Sequence, residues 1–97
     1  MNQDWLQTIG LSVEKLHELF DRTDLDVEWK KIQEKLEEAR YNPGDVRPLA
    51  DCMFSILLAA RNRGYSVTAV FEELGKVAED SMRRRWKKMP DGTYRAI

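Results

Sequence analysis

The chain has 97 residues, of which 42% are hydrophobic and 34% charged, and its formal net charge is −1 at pH 7. This length favours a single domain, and the composition is that of a globular protein rather than a disordered or fibrous one. The near-neutral charge argues against a general nucleic-acid binder. The longest apolar run, residues 52–60, is too short to span a bilayer.

The charges are distributed unevenly along the chain. Residues 1–46 carry 11 acidic and 6 basic side chains, whereas residues 47–97 carry 10 basic and 6 acidic ones. Cys52 is the only cysteine, so no internal disulfide can form. The first residues, with Asp4 among them, lack the basic-then-apolar pattern of a secretory signal. We therefore expect a reduced, cytoplasmic setting.

The first part of the chain is predicted to contain a short turn and two helices. Residues 5–9 are expected to form the turn, which Gly10 closes. Ser12 is a favourable N-cap for a helix over residues 13 to about 22. A second helix is predicted over residues 25–40, because apolar side chains recur there at helical spacing. These side chains are Leu25, Trp29, Ile32, Leu36 and Ala39.

The segment YNPGD, residues 41–45, is the clearest break in the chain, since proline and glycine favour a turn. A third helix is predicted to start at Pro48, a residue that suits the first helical turn, and to end near Arg63, with Gly64 as its cap. This helix is apolar on nearly every side, so we expect it to be buried on several sides.

A fourth helix is predicted to begin at Ser66 or Thr68 and to reach about Lys87, followed by a turn and a tail. No segment alternates with period two for long enough to indicate a sheet. The predicted fold class is therefore all-α, with about four helices in one domain over residues 1–97. Three short helices can hardly cover the apolar third one, so a homodimer through the second and third helices is expected to complete the bundle.

Polar residues interrupt the third helix. Asp51, Ser55 and Asn62 fall within about 40° of one another at roughly 100° per residue. In one interpretation, Asp51 caps the start of the helix and Asn62 faces solvent near its end. In the other, Asp51 is buried because a metal ion there needs its charge.

The second helix carries Glu34, Glu37 and Glu38 on the side away from its apolar stripe. Such acids are a solvated face unless another helix covers them. His17 is the only histidine and has no cysteine or second histidine near it in sequence, so zinc or a Cys–His pair is not expected. No glycine-rich phosphate loop occurs either.

The fourth helix is predicted to bear a charged stripe opposite its apolar one, formed by Lys76, Asp80, Arg83 and Lys87. One interpretation is an ion-paired surface. The other is a row of phosphate-binding cations, with arginine supplying forked donors. Trp86 either stacks on a base or packs at the end of the apolar stripe.

Residues 31–97 resemble the MazG-like all-α nucleotide pyrophosphohydrolases, in particular the small phage and prophage dATP/dGTP pyrophosphohydrolase branch. The matching motifs are "LAD" within the third helix, "AARNRGY" at its end, and "RWKKMPDGTY" after the fourth. The resemblance implies a helical bundle assembled as a dimer or a pair of dimers. It also implies hydrolysis of a nucleoside triphosphate to the monophosphate and pyrophosphate. Four carboxylates hold magnesium in that family, as E-x-x-E followed by E-x-x-D.

Transferred to this chain, the second acidic motif gives Asp51 but places Pro48 where the family has glutamate. The first motif gives Lys35 and Glu38, or Glu34 and Glu37 if the register slips by one residue. The resemblance thus implies Glu38 and Asp51 as catalytic residues and Glu34, Glu38 and Asp51 as magnesium ligands. It implies that the nucleotide is bound by residues of the last helix and the segment after it, namely Lys76, Asp80, Arg83, Arg84 and Trp86.

Three departures from the family pattern bear on activity. Pro48 and Lys35 stand where two metal carboxylates are expected, and Asp80 stands where an asparagine is expected and would repel phosphate. The leading hypothesis is a magnesium-dependent hydrolase of a nucleoside triphosphate, with a deoxynucleotide favoured. The alternatives are a weakened or inactive nucleotide-binding or interaction protein and, less favoured, a DNA-contacting helical protein.

Overall fold

A computed structural model describes residues 4–20 and 24–97. Its helices are α1 (Asp4–Leu19), α2 (Leu25–Tyr41), α3 (Arg47–Asn62) and α4 (Val67–Arg83). Two short strands follow, β1 (Trp86–Lys88) and β2 (Tyr94–Ala96). The prediction of an all-α fold with about four helices is confirmed. In the described part of the chain, no helix is long and apolar enough to cross a membrane.

The first helix differs from its prediction, because α1 continues through Gly10 and Ser12 instead of starting after them. Ile9 and Leu6 lie one and two turns before Val13, respectively, on the same face, and both pack against the core that contains Val13. Burial of this face outweighs the low helix propensity of Gly10. A glycine inside a helix costs only about 1 kcal/mol relative to alanine. The predicted end near residue 22 lies outside the described residues.

The boundaries of α2, α3 and the start of α4 follow the sequence signals. Asp24 caps α2, and its Oδ1 accepts a hydrogen bond from the Val27 amide at 2.9 Å. Pro48 lies in the first turn of α3, and Gly64 follows that helix with φ +96°. Ser66 caps α4, where its Oγ accepts a hydrogen bond from the Ala69 amide at 3.1 Å.

The chain after α4 differs from its prediction, because the helix ends at Arg83 and an antiparallel hairpin follows. Trp86 pairs with Ala96, and Lys88 pairs with Tyr94. The turn between the strands contains Gly92 at φ +89°. Strands of three residues are too short for a period-two pattern to be recognised, so they could not be predicted from sequence.

The core is small and lies where α1, α3 and the start of α4 meet. Val13, Leu57 and Val67 are its buried residues, with Phe54 and Phe71 among the half-buried side chains around them. α2 packs along α3, where Ile32 and Cys52 are buried. α4 packs on α1 and α3 only through its first turns, since every described residue from Glu72 to Arg83 is exposed.

Much apolar surface stays uncovered, although α3 packs against the other three helices and is buried on several sides, as expected. Leu49, Met53 and Ile56 form an exposed stripe on α3, and Trp29 and Leu36 are exposed on α2. The accessible surface is 8256 Å², whereas a compact monomer of 11.4 kDa has about 5,800 Å². The radius of gyration is 15.9 Å, against about 12.5 Å for a compact chain of this length.

Candidate nucleotide and metal site

Polar side chains form a seam between α2 and α3, which we call the polar seam. Its α2 residues, at spacings of three and four, share one face of that helix, and its α3 residues are the polar stripe identified in the sequence. The seam consists of Glu28, Lys31, Lys35 and Glu38 from α2 and of Asp51, Ser55 and Asn62 from α3. Two helices that pack mainly through apolar residues therefore also meet along a line of charged and polar groups.

Lys35 lies between two carboxylates at one end of the polar seam. Its Nζ is 3.6 Å from Oε2 of Glu38 and 3.9 Å from Oδ2 of Asp51. Asp51 also accepts a hydrogen bond from Nε of Arg47 at 3.3 Å. The Glu38 and Asp51 carboxylates thus come together around one cation that the chain itself provides.

Both interpretations of Asp51 need correction. The N-cap of α3 is Val46, and the side chain that accepts a hydrogen bond from the first amide of the helix, that of Arg47, is Asp45, so Asp51 is not a cap. Its side chain is 35% exposed and paired with two cations, so it is not a buried, uncompensated charge either. Partial exposure leaves the carboxylate accessible to a ligand that displaces Lys35.

Asn62 occupies the other end of the polar seam and does not face solvent, contrary to one expectation. Its Nδ2 donates a hydrogen bond to Oε1 of Glu28 at 2.5 Å, and its Oδ1 lies 2.6 Å from Nδ1 of His17. This arrangement requires a hydrogen on Nδ1 of His17. Asn62 therefore joins α1, α2 and α3. The sequence did not indicate roles for His17 and Glu28, because only the tertiary packing brings them to Asn62.

A second polar link joins α1 to α3. Nε of Arg61 donates a hydrogen bond to Oε1 of Glu14 at 2.5 Å. This hydrogen bond lowers the pKa of Glu14 below its ordinary value of 4.5 and raises the pKa of Arg61. Both side chains are partly exposed, so solvent screens their interaction.

The predicted metal ligands are only partly brought together. Glu38 and Asp51 meet through Lys35, whereas Glu34 is exposed on α2 and Glu37 pairs with Arg40 at 3.5 Å. The register that reaches Asp51 is therefore the one with Lys35 and Glu38. Among residues 4–20 and 24–97, no group of three or more histidine, cysteine, aspartate or glutamate side chains is placed to hold a metal ion.

The predicted nucleotide-binding residues all lie exposed at the end of α4 and just beyond it. Lys76 pairs with Glu73 at 3.1 Å, and Nε1 of Trp86 donates a hydrogen bond to the Ser81 carbonyl at 3.0 Å. The Asp80 carbonyl accepts a hydrogen bond from the Arg84 amide, just beyond Arg83 at the end of the helix.

The end of α4 differs from its prediction. Lys87 lies on β1, so the charged stripe of α4 has three members instead of four. In the described structure, neither the hairpin nor α4 packs against α2. The predicted phosphate-binding cations are therefore not brought to Glu38 in the same chain.

A cleft of about 650 Å³ opens on the other side of Asp51. Trp5, Phe54 and Phe71 line it from α1, α3 and α4, and Arg47 and Asp51 also line it. This volume lies within the usual range for small-molecule sites, which combine apolar walls with a few polar groups.

Comparison of the chain with protein-family models, curated proteins and solved structures finds no match. The functional argument therefore rests on the polar seam, the cleft beside it and the motifs of the sequence.

Proposed function

We propose that the protein binds a nucleoside triphosphate together with magnesium and hydrolyses it to the monophosphate and pyrophosphate. The observation that carries this proposal is the meeting of Glu38 and Asp51, from two different helices, around one cation. The resemblance of residues 31–97 to nucleotide pyrophosphohydrolases gives this pair of carboxylates a function. The cleft beside Asp51 offers room for a nucleoside.

The donor atoms fit a magnesium ion that arrives with the nucleotide. Magnesium prefers hard oxygen donors and is commonly held by one or two carboxylates plus substrate phosphates. Glu38 and Asp51 would hold it, and when bound it would neutralise charge on the phosphate oxygens. Since Lys35 neutralises both carboxylates in the free protein, it has to leave them first.

Lys35 has two roles in this proposal. In the free protein, its ammonium group keeps two carboxylates of opposite helices close together, which would otherwise repel each other. Once displaced, the same flexible side chain can donate hydrogen bonds to a phosphate group. Arg47, already at 3.3 Å from Asp51, holds that carboxylate in place from the other side.

A second candidate function is nucleotide binding without hydrolysis, and the same lysine favours it. A cation within 4 Å of both carboxylates competes with magnesium for them. Pro48 is buried in the first turn of α3, at the position where the family has a further carboxylate. The two candidates differ in whether a triphosphate is cleaved once it is bound.

We also propose that the working unit is a homodimer that forms through α2 and α3. Trp29, Leu36, Leu49, Met53 and Ile56 are exposed on these two helices. A patch of this kind is typical of an interface rather than of a monomer surface.

The test measures pyrophosphate release and nucleotide binding, with magnesium present, for the parent and three variants. Lys35→Gln should bind the magnesium–nucleotide complex more tightly, since it removes the competing cation. Asp51→Asn should abolish magnesium-dependent nucleotide binding. Glu34→Gln, an exposed acid one residue before Lys35, is the matched control and should behave like the parent.

The outcomes separate the two candidates. Pyrophosphate release that Asp51→Asn abolishes supports the hydrolase, whereas magnesium-dependent binding without release supports the non-hydrolysing protein. If no nucleoside triphosphate binds to the parent or to Lys35→Gln, both candidates are wrong.

A further inference from the structure

Residues 74–97, which we call the C-terminal arm, project from the body of the chain. Leu74, Val77 and Met82 lie on one face of α4 and are exposed by 49%, 56% and 83%. The arm continues into the hairpin, whose six strand residues are all exposed. In the described structure, the hairpin contacts α4 through the hydrogen bond between Trp86 and Ser81, and it packs against none of the other helices.

An arm of this kind needs a surface to cover it. A two-stranded hairpin is at best marginally stable in water unless a third strand or a helix packs on it. The apolar face of the arm is also continuous with the cleft, because Phe71 of the same helix lines the cleft one turn before Leu74. One face of the chain therefore consists of the cleft followed by the exposed apolar side chains of the arm.

The charges indicate what covers the arm. Residues 83–97 carry six basic side chains and one acidic one, whereas residues 1–82 carry ten basic and sixteen acidic ones. Within one chain, the basic end of the arm makes no ion pair with the body among the described residues. The surface complementary to the arm is thus the body of this same sequence, which a second copy supplies.

The uncovered area has the size that a dimer requires. The accessible surface of 8256 Å² exceeds that of a compact monomer by about 2,500 Å². Stable dimers bury about 1,000–2,500 Å² on each chain. The exposed apolar residues of α2 and α3 and the apolar face of the arm also suit twofold symmetry, since each arm can then cover α2 and α3 of the other copy and leave the cleft open.

We propose that the C-terminal arm docks on a second copy of the chain and supplies Arg83 and Arg84 to that partner's Glu38–Asp51 site. The docking itself follows from the exposed stripe, the charges and the area, whereas the supply of cations rests on the proposed function. A bound triphosphate needs carboxylates that hold its metal ion and cations that hold its phosphates. Within one chain, these carboxylates and cations lie apart. Exchange of arms between two copies brings them together.

The docking is tested by the mass of the protein in solution. The parent should have the mass of two chains by light scattering at micromolar concentration. Val77→Glu should shift the mass to one chain, because it places a charge in the apolar contact. Glu79→Gln, on the polar side of the same helix, is the control and should remain at two chains. Circular dichroism checks that both variants stay helical. A parent of one-chain mass, or an unchanged Val77→Glu dimer, overturns the proposal.

The supply of cations is tested by mixing two defective chains. Asp51→Asn removes the carboxylate and keeps the arm intact. The double variant Arg83→Ala and Arg84→Ala keeps the carboxylate and removes the two cations of the arm. Co-expressed with different tags and purified as a hybrid, they should form one intact site and regain about half of the parent's pyrophosphate release or nucleotide binding. Asp51→Asn co-expressed with itself is the control and should regain nothing.

The results distinguish the two proposals. If the parent is active and the hybrid regains nothing, each chain uses its own arm, and the proposed exchange is wrong. If the parent neither binds nor cleaves any nucleoside triphosphate, the proposed function and the supply of cations fail together. The mass of Val77→Glu still decides whether the arm docks on a second copy.

Discussion

Asn62 is the residue at which three helices are joined by side-chain hydrogen bonds. It binds His17 of α1 and Glu28 of α2 from its position at the end of α3. Asn62→Ala should remove both hydrogen bonds and lower the free energy of unfolding by about 1–3 kcal/mol, measured by urea denaturation. Gln33→Ala, at an exposed position of α2, should cost little. Equal effects of the two substitutions would contradict the role assigned to Asn62.

Glu14 should make the stability of the fold depend on pH. Its hydrogen bond with Arg61 lowers its pKa in the folded protein below the ordinary value of 4.5. A carboxylate of lowered pKa stabilises the fold above its unfolded pKa, and this contribution is lost as the pH falls through the folded pKa. Glu14→Gln should therefore lower the urea midpoint at pH 7.

In acid, the difference between Glu14→Gln and the parent should vanish. Glu34→Gln, which lacks the link to Arg61, should show a smaller difference at both pH values. A difference between Glu14→Gln and the parent that persists well below pH 4.5 would show that packing, not the charge, is responsible.

At the residue scale, the sequence predicted which side chains are unusual but not what they contact. The spacing of Asp51, Ser55 and Asn62 identified a polar stripe, because helical geometry alone places them together. Their partners could not be predicted, since the register between α2 and α3 depends on the packing of both helices. Lys35 was expected only to stand in place of a metal carboxylate, and the pairing of this lysine with both carboxylates is a tertiary feature.

At the scale of the helices, two glycines should respond in opposite ways to the same substitution. Gly10 lies inside α1 with open space around the position of a Cβ atom, so Gly10→Ala should raise stability by about 0.5–1 kcal/mol. Gly64 follows α3 with φ +96°, where an alanine is strained, so Gly64→Ala should lower stability by about 1–2 kcal/mol.

Thermal denaturation of both variants measures these changes. If Gly10→Ala is destabilising, the first helix does not continue through residue 10, and the short turn expected from the sequence is the better description. A neutral Gly64→Ala would show that the cap of α3 adopts another backbone conformation in solution.

The helices could be predicted from sequence to different degrees for physical reasons. α2 and α3 have caps and breaks that act locally, so their predicted and observed limits agree within about two residues. α1 contains a glycine and a serine that are typical of a boundary, and only burial of Leu6 and Ile9 overrides them. The hairpin depends on a turn with Gly92 at positive φ and on strands too short to show a pattern.

At the scale of the whole molecule, the excess surface predicts stability that depends on concentration. A folded dimer is favoured over unfolded chains by mass action, so the midpoint of thermal denaturation should rise as the protein concentration increases about a hundredfold. Val77→Glu should lose this dependence and melt at the lower temperature throughout. A midpoint for the parent that does not change with concentration would contradict assembly.

The sequence led us to expect a partner chain, but not the geometry of the contact with it. An almost wholly apolar third helix in a chain of 97 residues indicated dimerisation, because so few residues cannot cover it. The expected interface lay on α2 and α3, where apolar side chains are exposed in the structure. The hairpin of the arm was not predicted, because α4 was expected to continue to Lys87 and would then have included most of β1.

The single thiol of the chain has a practical consequence. Cys52 is only 5% exposed on α3, and no other cysteine is present to react in its place. A thiol reagent can therefore label the protein only when the packing around α3 opens, and the labelling rate reports the free energy of that opening. Labelling of the native protein would thus measure local opening of the fold without any introduced probe. Ligands that stabilise the packing of α2 on α3 should lower the labelling rate.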